Sequence, residues 1–118
     1  MLVREILRSG DIQEDIINYF TFLDLPKDVV LRGIAKFDHE LQIQLSPIKV
    51  LDVGIAISFI MDDSGKGIER VLLKNGQGVY LNIYSLDDEI ERIVERAVQL
   101  VRNIEKGKMG SLSKYLEG

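Results

Sequence analysis

The sequence predicts an α+β domain in which a mostly antiparallel five-stranded sheet carries an N-terminal helix and a long C-terminal helix on one face. Apolar residues recur at helical spacing in two segments, 11–23 and 86–104. Between them the pattern changes to a period of two, interrupted by turn-forming residues. Short connections favour antiparallel neighbours, and a single apolar stripe on each helix favours packing on one side of the sheet.

Composition is typical of one folded domain. The chain has 118 residues, of which 46% are hydrophobic and 29% charged, with a net charge of −4. The domain is expected to span 1–107, followed by a short tail at 108–118. The absence of cysteine excludes disulfides and thiolate chemistry and suits a cytoplasmic location. The longest apolar run, 53–61, is too short to cross a membrane.

The N-terminal helix is predicted from a capping box. Asp11 stands three residues before Glu14, the spacing at which the two side chains satisfy free backbone N–H groups. An apolar stripe follows, and Asp24-Leu25-Pro26 ends the helix because the residue before proline is pushed out of helical geometry. A further short helix is expected in Leu2–Arg8.

The first hairpin is predicted from two alternating segments, 29–37 and 41–45. A three-residue loop at 38–40 would place Phe37 opposite Leu41 and keep the apolar residues together. A two-residue loop would instead place Lys36 opposite Leu41. The three-residue loop is therefore predicted, because a slip of one residue turns every side chain to the other face.

The stretch 48–61 fits two structures. Ser46-Pro47 is a good helix start, with serine as the cap and proline in the first turn. However, every odd position from 51 to 61 holds a large apolar residue, and the even positions from 52 to 58 hold small or polar ones. This alternation favours a central strand, which is the prediction for the whole stretch.

The second hairpin follows a turn-rich loop at 62–67. A loop of Asn75-Gly76-Gln77 would set the apolar residues Val71 and Leu73 against Val79, Leu81 and Ile83. A two-residue Asn75-Gly76 turn is also chemically favourable, but it spoils that pairing. The three-residue loop is predicted.

The last helix is expected to begin at Ser85, which caps it together with Asp88, and to end at Lys106 and Gly107 as the helix dipole and C-cap geometry prefer. The tail beyond it carries apolar residues at a short helical spacing that are candidates for docking on a partner: Leu112, Tyr115 and Leu116.

Residues for catalysis are few, and no cofactor is predicted. His39 is the only histidine, so a single chain has no two-histidine metal site, and its place between two acids in a hairpin loop is typical of a solvated turn. Asp62, Asp63 and Lys66 form the most suggestive loop, but the segment lacks the glycine spacing of a phosphate-binding loop and leads into a strand. No metal site is predicted, and enzymatic activity is the less favoured hypothesis.

The second face of the predicted sheet is the main candidate surface. Basic groups beside tyrosines suit protein interfaces and also the stacking of single-stranded nucleic acid, while a solvated sheet face would carry polar residues too. The candidate binding residues are Arg32, Lys36, Arg70, Lys74, Tyr80, Asn82 and Tyr84, with Gln42 and Gln44 beside them.

The expected function is binding without catalysis. Apolar residues left over after the helices are packed, together with an exposed outer strand, predict a small protein-binding or oligomerisation domain that forms a homodimer. The first alternative is a module for single-stranded nucleic acid, which the negative net charge makes less favourable. The second alternative is a divalent-metal-dependent enzyme that uses the loop at Asp62-Asp63.

Overall fold

The computed structural model describes the backbone of residues 1–117 and the side chains of residues 1–104. It confirms the α+β fold: one five-stranded antiparallel sheet with a short N-terminal and a long C-terminal helix. A 3-10 helix comes first, at Val3–Ile6. The remaining elements are α1 (Ile12–Thr21), β1 (Val29–Lys36), β2 (Glu40–Pro47), β3 (Ile55–Met61), β4 (Ile68–Asn75), β5 (Tyr80–Tyr84) and α2 (Ile90–Glu117).

The strands lie side by side in chain order, so β3 is central and β1 and β5 are the edges. Each pair of neighbours is antiparallel. Residues that face each other across a strand pair lie on the same side of the sheet, so the register assigns every side chain to one of two faces. We call the side covered by the helices the helix face and the other side the open face.

The hydrophobic core lies between the helices and the helix face. Ile57 and Phe59 on β3 are fully buried, and the Phe59 ring meets Phe20 of α1 edge to face with ring centroids 5.9 Å apart. From α2, Ile93 and Ala97 are also fully buried in this cluster. The apolar stripes seen in the sequence therefore do form the layer that joins the helices to the sheet.

Helix α1 begins as the sequence predicts. The side chain of Asp11 accepts a hydrogen bond from the Glu14 N–H at 3.1 Å, which satisfies a backbone donor that the helix leaves free. The helix ends at Thr21, a few residues before Pro26.

The predicted loop of the first hairpin is wrong by one residue. The Phe37 N–H donates to the Glu40 carbonyl oxygen at 2.8 Å, and Lys36 lies opposite Leu41, so only Asp38 and His39 form the loop. The register shifts at a bulge between Leu31 and Gly33, which brings Leu31 opposite Leu45. The bulge restores the apolar pairing that the two-residue loop alone would have lost.

The prediction of a strand for all of 48–61 is also only partly correct. Strand β3 begins at Ile55, and residues 48–54 form turns that connect it to β2. Because β2 and β3 are antiparallel neighbours, the chain must reverse after Pro47, and a strand starting at 48 would leave no residues for that reversal. A Cβ at Gly54 would overlap the Leu45 carbonyl oxygen, so the connection lies directly against β2.

The second hairpin differs from the prediction in its loop residues and in a bulge at Leu81. Gly76, Gln77 and Gly78 form the loop, and Gly78 takes a φ of +80° that favours glycine. The Asn75 Oδ1 accepts hydrogen bonds from the N–H groups of Gln77 and Val79 at 2.9 and 3.0 Å. These local bonds decide the turn and place Lys74 opposite Tyr80. The bulge at Leu81 then brings Val71, Leu72 and Leu73 opposite Tyr84, Ile83 and Asn82.

Helix α2 starts later and ends later than predicted. The contacts expected of a cap do form, since the Ser85 N–H donates to Asp88 Oδ2 at 2.7 Å, but they close a turn and the helix begins at Ile90. The first residues of the chain pair with this turn, and the Ile90 N–H donates to the Met1 carbonyl oxygen at 2.9 Å. The helix backbone passes through Gly107 and Gly110 to Glu117, because each glycine inside a helix costs only about 1 kcal/mol.

Among the described residues, no helix combines the length and the apolar character needed to span a bilayer. The proposed division into a domain at 1–107 and a tail at 108–118 stays a prediction.

Candidate functional site

The open face collects six of the residues singled out from the sequence. Strand register places Gln42 and Gln44 of β2 on it, opposite Ala56 and Ser58 of β3. Arg32 joins them, because its guanidinium contacts the Gln44 side chain. The residues that β4 and β5 contribute to the same face are Arg70, Lys74 and Tyr80.

Three other predicted residues lie on the helix face. Lys36 is opposite Leu41, and it is exposed at the end of β1. Asn82 and Tyr84 are opposite Leu73 and Val71, two core residues. For Lys36 the cause is the two-residue loop of the first hairpin, and for Asn82 and Tyr84 it is the bulge at Leu81, because one missing or extra residue turns the rest of a strand over.

Side-chain hydrogen bonds run across the β1 half of the open face. One guanidinium nitrogen of Arg32 donates to the Leu51 carbonyl oxygen at 3.0 Å and the other to Gln44 Oε1 at 3.2 Å. Gln44 Nε2 donates to Gln42 Oε1 at 3.3 Å, and Gln42 Nε2 to Glu40 Oε2 at 2.9 Å. The polar part of the face is therefore an ordered network rather than a set of independent solvated side chains.

The network ends in an ion pair between β2 and β4. Lys74 Nζ lies 2.7 Å from Glu40 Oε2, and the two side chains are only 13% and 21% exposed. Burial would raise the pKa of Glu40, but hydrogen bonds from Lys74 and Gln42 outweigh it, and the pKa lies below its ordinary value. The Lys74 ammonium also lies 5.3 Å from the centre of the Tyr80 ring, a cation–π distance.

Strand β5 is the second unusual feature, because it is an edge strand with exposed apolar side chains. Exposure is 54% for Val79, 58% for Tyr80, 40% for Leu81 and 65% for Ile83. The segment from Val79 to Tyr84 contains no charged residue. An edge strand also has backbone N–H and C=O groups that point away from the sheet, so β5 combines apolar area with free hydrogen-bonding groups.

The helix side of the β5 edge is polar. A groove of about 240 Å³ lies there, between β5 and the start of α2. Asn82 Oδ1 is buried at this edge and finds no hydrogen-bond partner among the described atoms. The groove is lined by Asn82, Tyr84, Asp88, Glu89, Arg92 and Arg96, so charges of both signs stand beside the edge.

Val79, Leu81 and Ile83 are exposed, although the predicted register placed them on the buried face. The signal available was the absence of charge over six consecutive residues after the last turn. That absence is typical both of a buried strand and of an interface strand, and only the register distinguishes them.

Only part of the arrangement predicted for stacking single-stranded nucleic acid lies on the open face. Tyr84 lies on the helix face, and Tyr80 remains as the single tyrosine of the predicted set on the open face. Lys74 is neutralised by Glu40. Stacking of successive bases requires several aromatic rings along a basic groove, and Tyr80 and Lys74 alone do not supply one.

The loop at 62–67 is held by its own hydrogen bonds. Asp62 Oδ1 accepts from the Ser64 hydroxyl at 2.5 Å and from the Ser64 N–H at 3.0 Å, and these bonds lower the pKa of Asp62. The Asp62 N–H donates to the Gly67 carbonyl oxygen at 2.9 Å. The described residues contain no group of three or more His, Cys, Asp or Glu side chains that could hold a metal ion.

The remaining sequence candidates contribute little to the site. His39 is exposed in the β1–β2 loop, where its carbonyl oxygen accepts a hydrogen bond from the Met61 N–H at 2.9 Å. The candidates for tail docking, Leu112, Tyr115 and Leu116, lie outside the side chains that the structure describes.

Comparison of the chain with protein-family models, with curated proteins and with solved structures gave no match.

Proposed function

We propose that this domain works by binding and that its first partner is a second copy of itself, joined along β5. The observation that carries the proposal is the exposed, uncharged edge strand. Antiparallel addition of β5 to β5 across a two-fold axis would satisfy the free backbone groups and give a continuous ten-stranded sheet, five strands from each copy.

The bulge in β5 supports one register for this pairing. The ladder between β4 and β5 is irregular between Leu73 and Lys74, where Leu81 is the extra residue. Residues 82–84 follow it with regular pairing. A two-fold axis at Ile83 uses this regular part, and places Ile83 opposite its own copy on the open face.

The same register brings Tyr84 of each copy opposite Asn82 of the other on the helix face. This supplies a nearby hydroxyl donor for Asn82 Oδ1, which is buried without a partner in the single chain. The acids and arginines beside the edge, such as Asp88 and Arg92, also form a surface that is self-complementary under a two-fold rotation.

The test is the mass of the protein in solution, measured by sedimentation equilibrium from the micromolar to the millimolar range. We expect a concentration-dependent increase toward twice the mass of the chain. Because the chain has no cysteine, the register is tested with the single variant Ile83→Cys and a short bismaleimide reagent. Rapid cross-linking of the variant to itself is expected.

The matched control is Ala35→Cys, which lies on the same face at the β1 edge. It should cross-link only slowly, through chance encounters. A monomer throughout the concentration range would overturn the proposal, and so would equal cross-linking of the two variants. A cysteine-free chain that binds a copy of itself would also suit the reducing cytoplasm, which is the proposed location.

A further inference from the structure

A trough crosses the open face above β3, away from the β5 edge. The open-face residues in the first half of β3 and just before it are small: Gly54, Ala56 and Ser58. Longer side chains on β2 and β4 stand on either side, and the axes of those strands are about 10 Å apart. The resulting cavity has a volume of about 270 Å³, enough for a small organic molecule.

The walls of the trough are rich in hydrogen-bond donors. Arg32, Gln42, Gln44 and Lys74 line it, whereas Asp52 is the single carboxylate among its lining residues in the described chain. The amides are already oriented by the network, so they would not have to be ordered when a ligand binds. The floor offers a methyl group at Ala56 and bare backbone at Gly54.

The positive charge in the trough is concentrated on Arg32. Lys74 is paired with Glu40, but the guanidinium of Arg32 donates only to neutral groups, the Leu51 carbonyl oxygen and the Gln44 amide. Among the described side chains, no carboxylate lies within ion-pair distance of it. A guanidinium in this state is suited to an oxyanion, which it can bind through charge-assisted hydrogen bonds.

From these features we propose that the trough binds a small planar carboxylate. The carboxylate group would contact Arg32, with the Gln44 amide beside it. The planar body would lie over Ala56 and Gly54, between the glutamines of β2 and the exposed turn at Gly76. The site is separate from the β5 edge, so its occupancy does not depend on self-association.

The experiment uses benzoate as the probe, followed by chemical shifts of the isotope-labelled full-length protein. We expect saturable shifts at Gln42, Gln44, Ala56 and Gly76, with a dissociation constant on the order of millimolar for so small a probe. Benzamide has the same shape without the charge and should bind about tenfold more weakly. Acetate, which lacks the ring, should also bind more weakly than benzoate.

Two variants and one control locate the site. Arg32→Gln should weaken benzoate binding about tenfold, and Ala56→Ile should abolish it by filling the floor with a side chain that suits a strand. Arg70→Gln removes a positive charge from the same face but outside the trough, and should leave binding unchanged. Dispersed spectra of each variant establish that it is folded.

The proposal would be overturned by the absence of shifts around the trough. Equal binding of benzoate and benzamide would overturn the role of Arg32. An equal loss in Arg70→Gln and Arg32→Gln would show a general charge effect instead of a site. If Ala56→Ile fails to fold, Arg32→Gln and the benzamide comparison still decide the question.

Discussion

The two edges of the sheet are built differently. At the β1 edge, Arg32 is hydrogen-bonded to the loop that follows β2. Beside it, Asp28 forms a bidentate ion pair with Arg102 of α2, with hydrogen bonds of 2.7 and 3.0 Å. Lys36 adds a charge at the end of the strand. The β5 edge has no charge of its own from Val79 to Tyr84 and exposes most of its apolar side chains.

This difference shows which devices protect an edge. Both edge strands carry a bulge, at Arg32 in β1 and at Leu81 in β5, so the bulge does not distinguish them. The two edges differ in their charge and in their attachment to neighbouring elements. Charged side chains and contacts to neighbouring elements oppose the addition of another strand, and the β1 edge has both at Asp28 and Arg32. The β5 edge is the one left open to a partner.

The largest effect is expected from placing a charge on the β5 edge. Ile83→Lys would bring two ammonium groups together at the proposed two-fold axis and remove the central apolar contact. We expect the dissociation constant of the dimer to rise by about 100-fold or more, which corresponds to about 2.7 kcal/mol. Sedimentation equilibrium measures it. The fold should be unaffected, since Ile83 is largely exposed.

The control for this prediction is Ala35→Lys, which adds the same charge to the same face at the β1 edge. The dimer should tolerate it. If Ala35→Lys dissociated the dimer as strongly as Ile83→Lys, the two edges of the sheet would not differ in their role in dimer formation.

A smaller effect is expected from a substitution in the hydrogen-bond network on the β1 half of the open face. The pKa of Glu40 lies below its ordinary value, so its pairing stabilises the fold fully above the pKa of the unfolded chain, and this contribution is lost as the pH falls through the lower pKa of the folded state. Glu40→Gln should reduce the free energy of unfolding by about 1–2 kcal/mol at neutral pH.

The difference between the wild type and Glu40→Gln should then shrink below about pH 4.5, where the carboxylate begins to be protonated in the unfolded chain. Urea unfolding at neutral and acid pH measures the difference. Glu69→Gln, which changes an exposed acid on β4, serves as the control and should cost little. A difference for Glu40→Gln that is the same at both pH values would contradict the assignment.

Much of the fold was predictable because its signals are local. The apolar stripe of α2, the cap at Asp11 and the alternation in β2 each involve residues a few positions apart, and each formed as expected. The beginning of β3 was not predictable in this way. The alternation in 48–61 continues through residues that the chain needs to reverse direction, and that need comes from the pairing of β2 with β3.

The candidate site was harder to predict, because it depends on register. One loop residue decided whether Lys36 faced the helices, and a bulge far from that loop decided where Leu31 went. In the second hairpin the turn leaves Tyr80 on its predicted face, and the bulge at Leu81 turns residues 82–84 over. A sequence shows that a bulge is possible, but the position of the bulge is set by both strands together.

The smallest effect tests the turn that joins β4 to β5. Gly78 has a φ of +80°, so Gly78→Ala places a Cβ in a conformation that costs about 1 kcal/mol, whereas Gly76 has a negative φ and open space around its Cα. Gly76→Ala should therefore change the free energy of unfolding by less than about 0.5 kcal/mol. Urea unfolding of the two variants measures both values. Equal effects would mean that the turn does not require a left-handed residue at position 78.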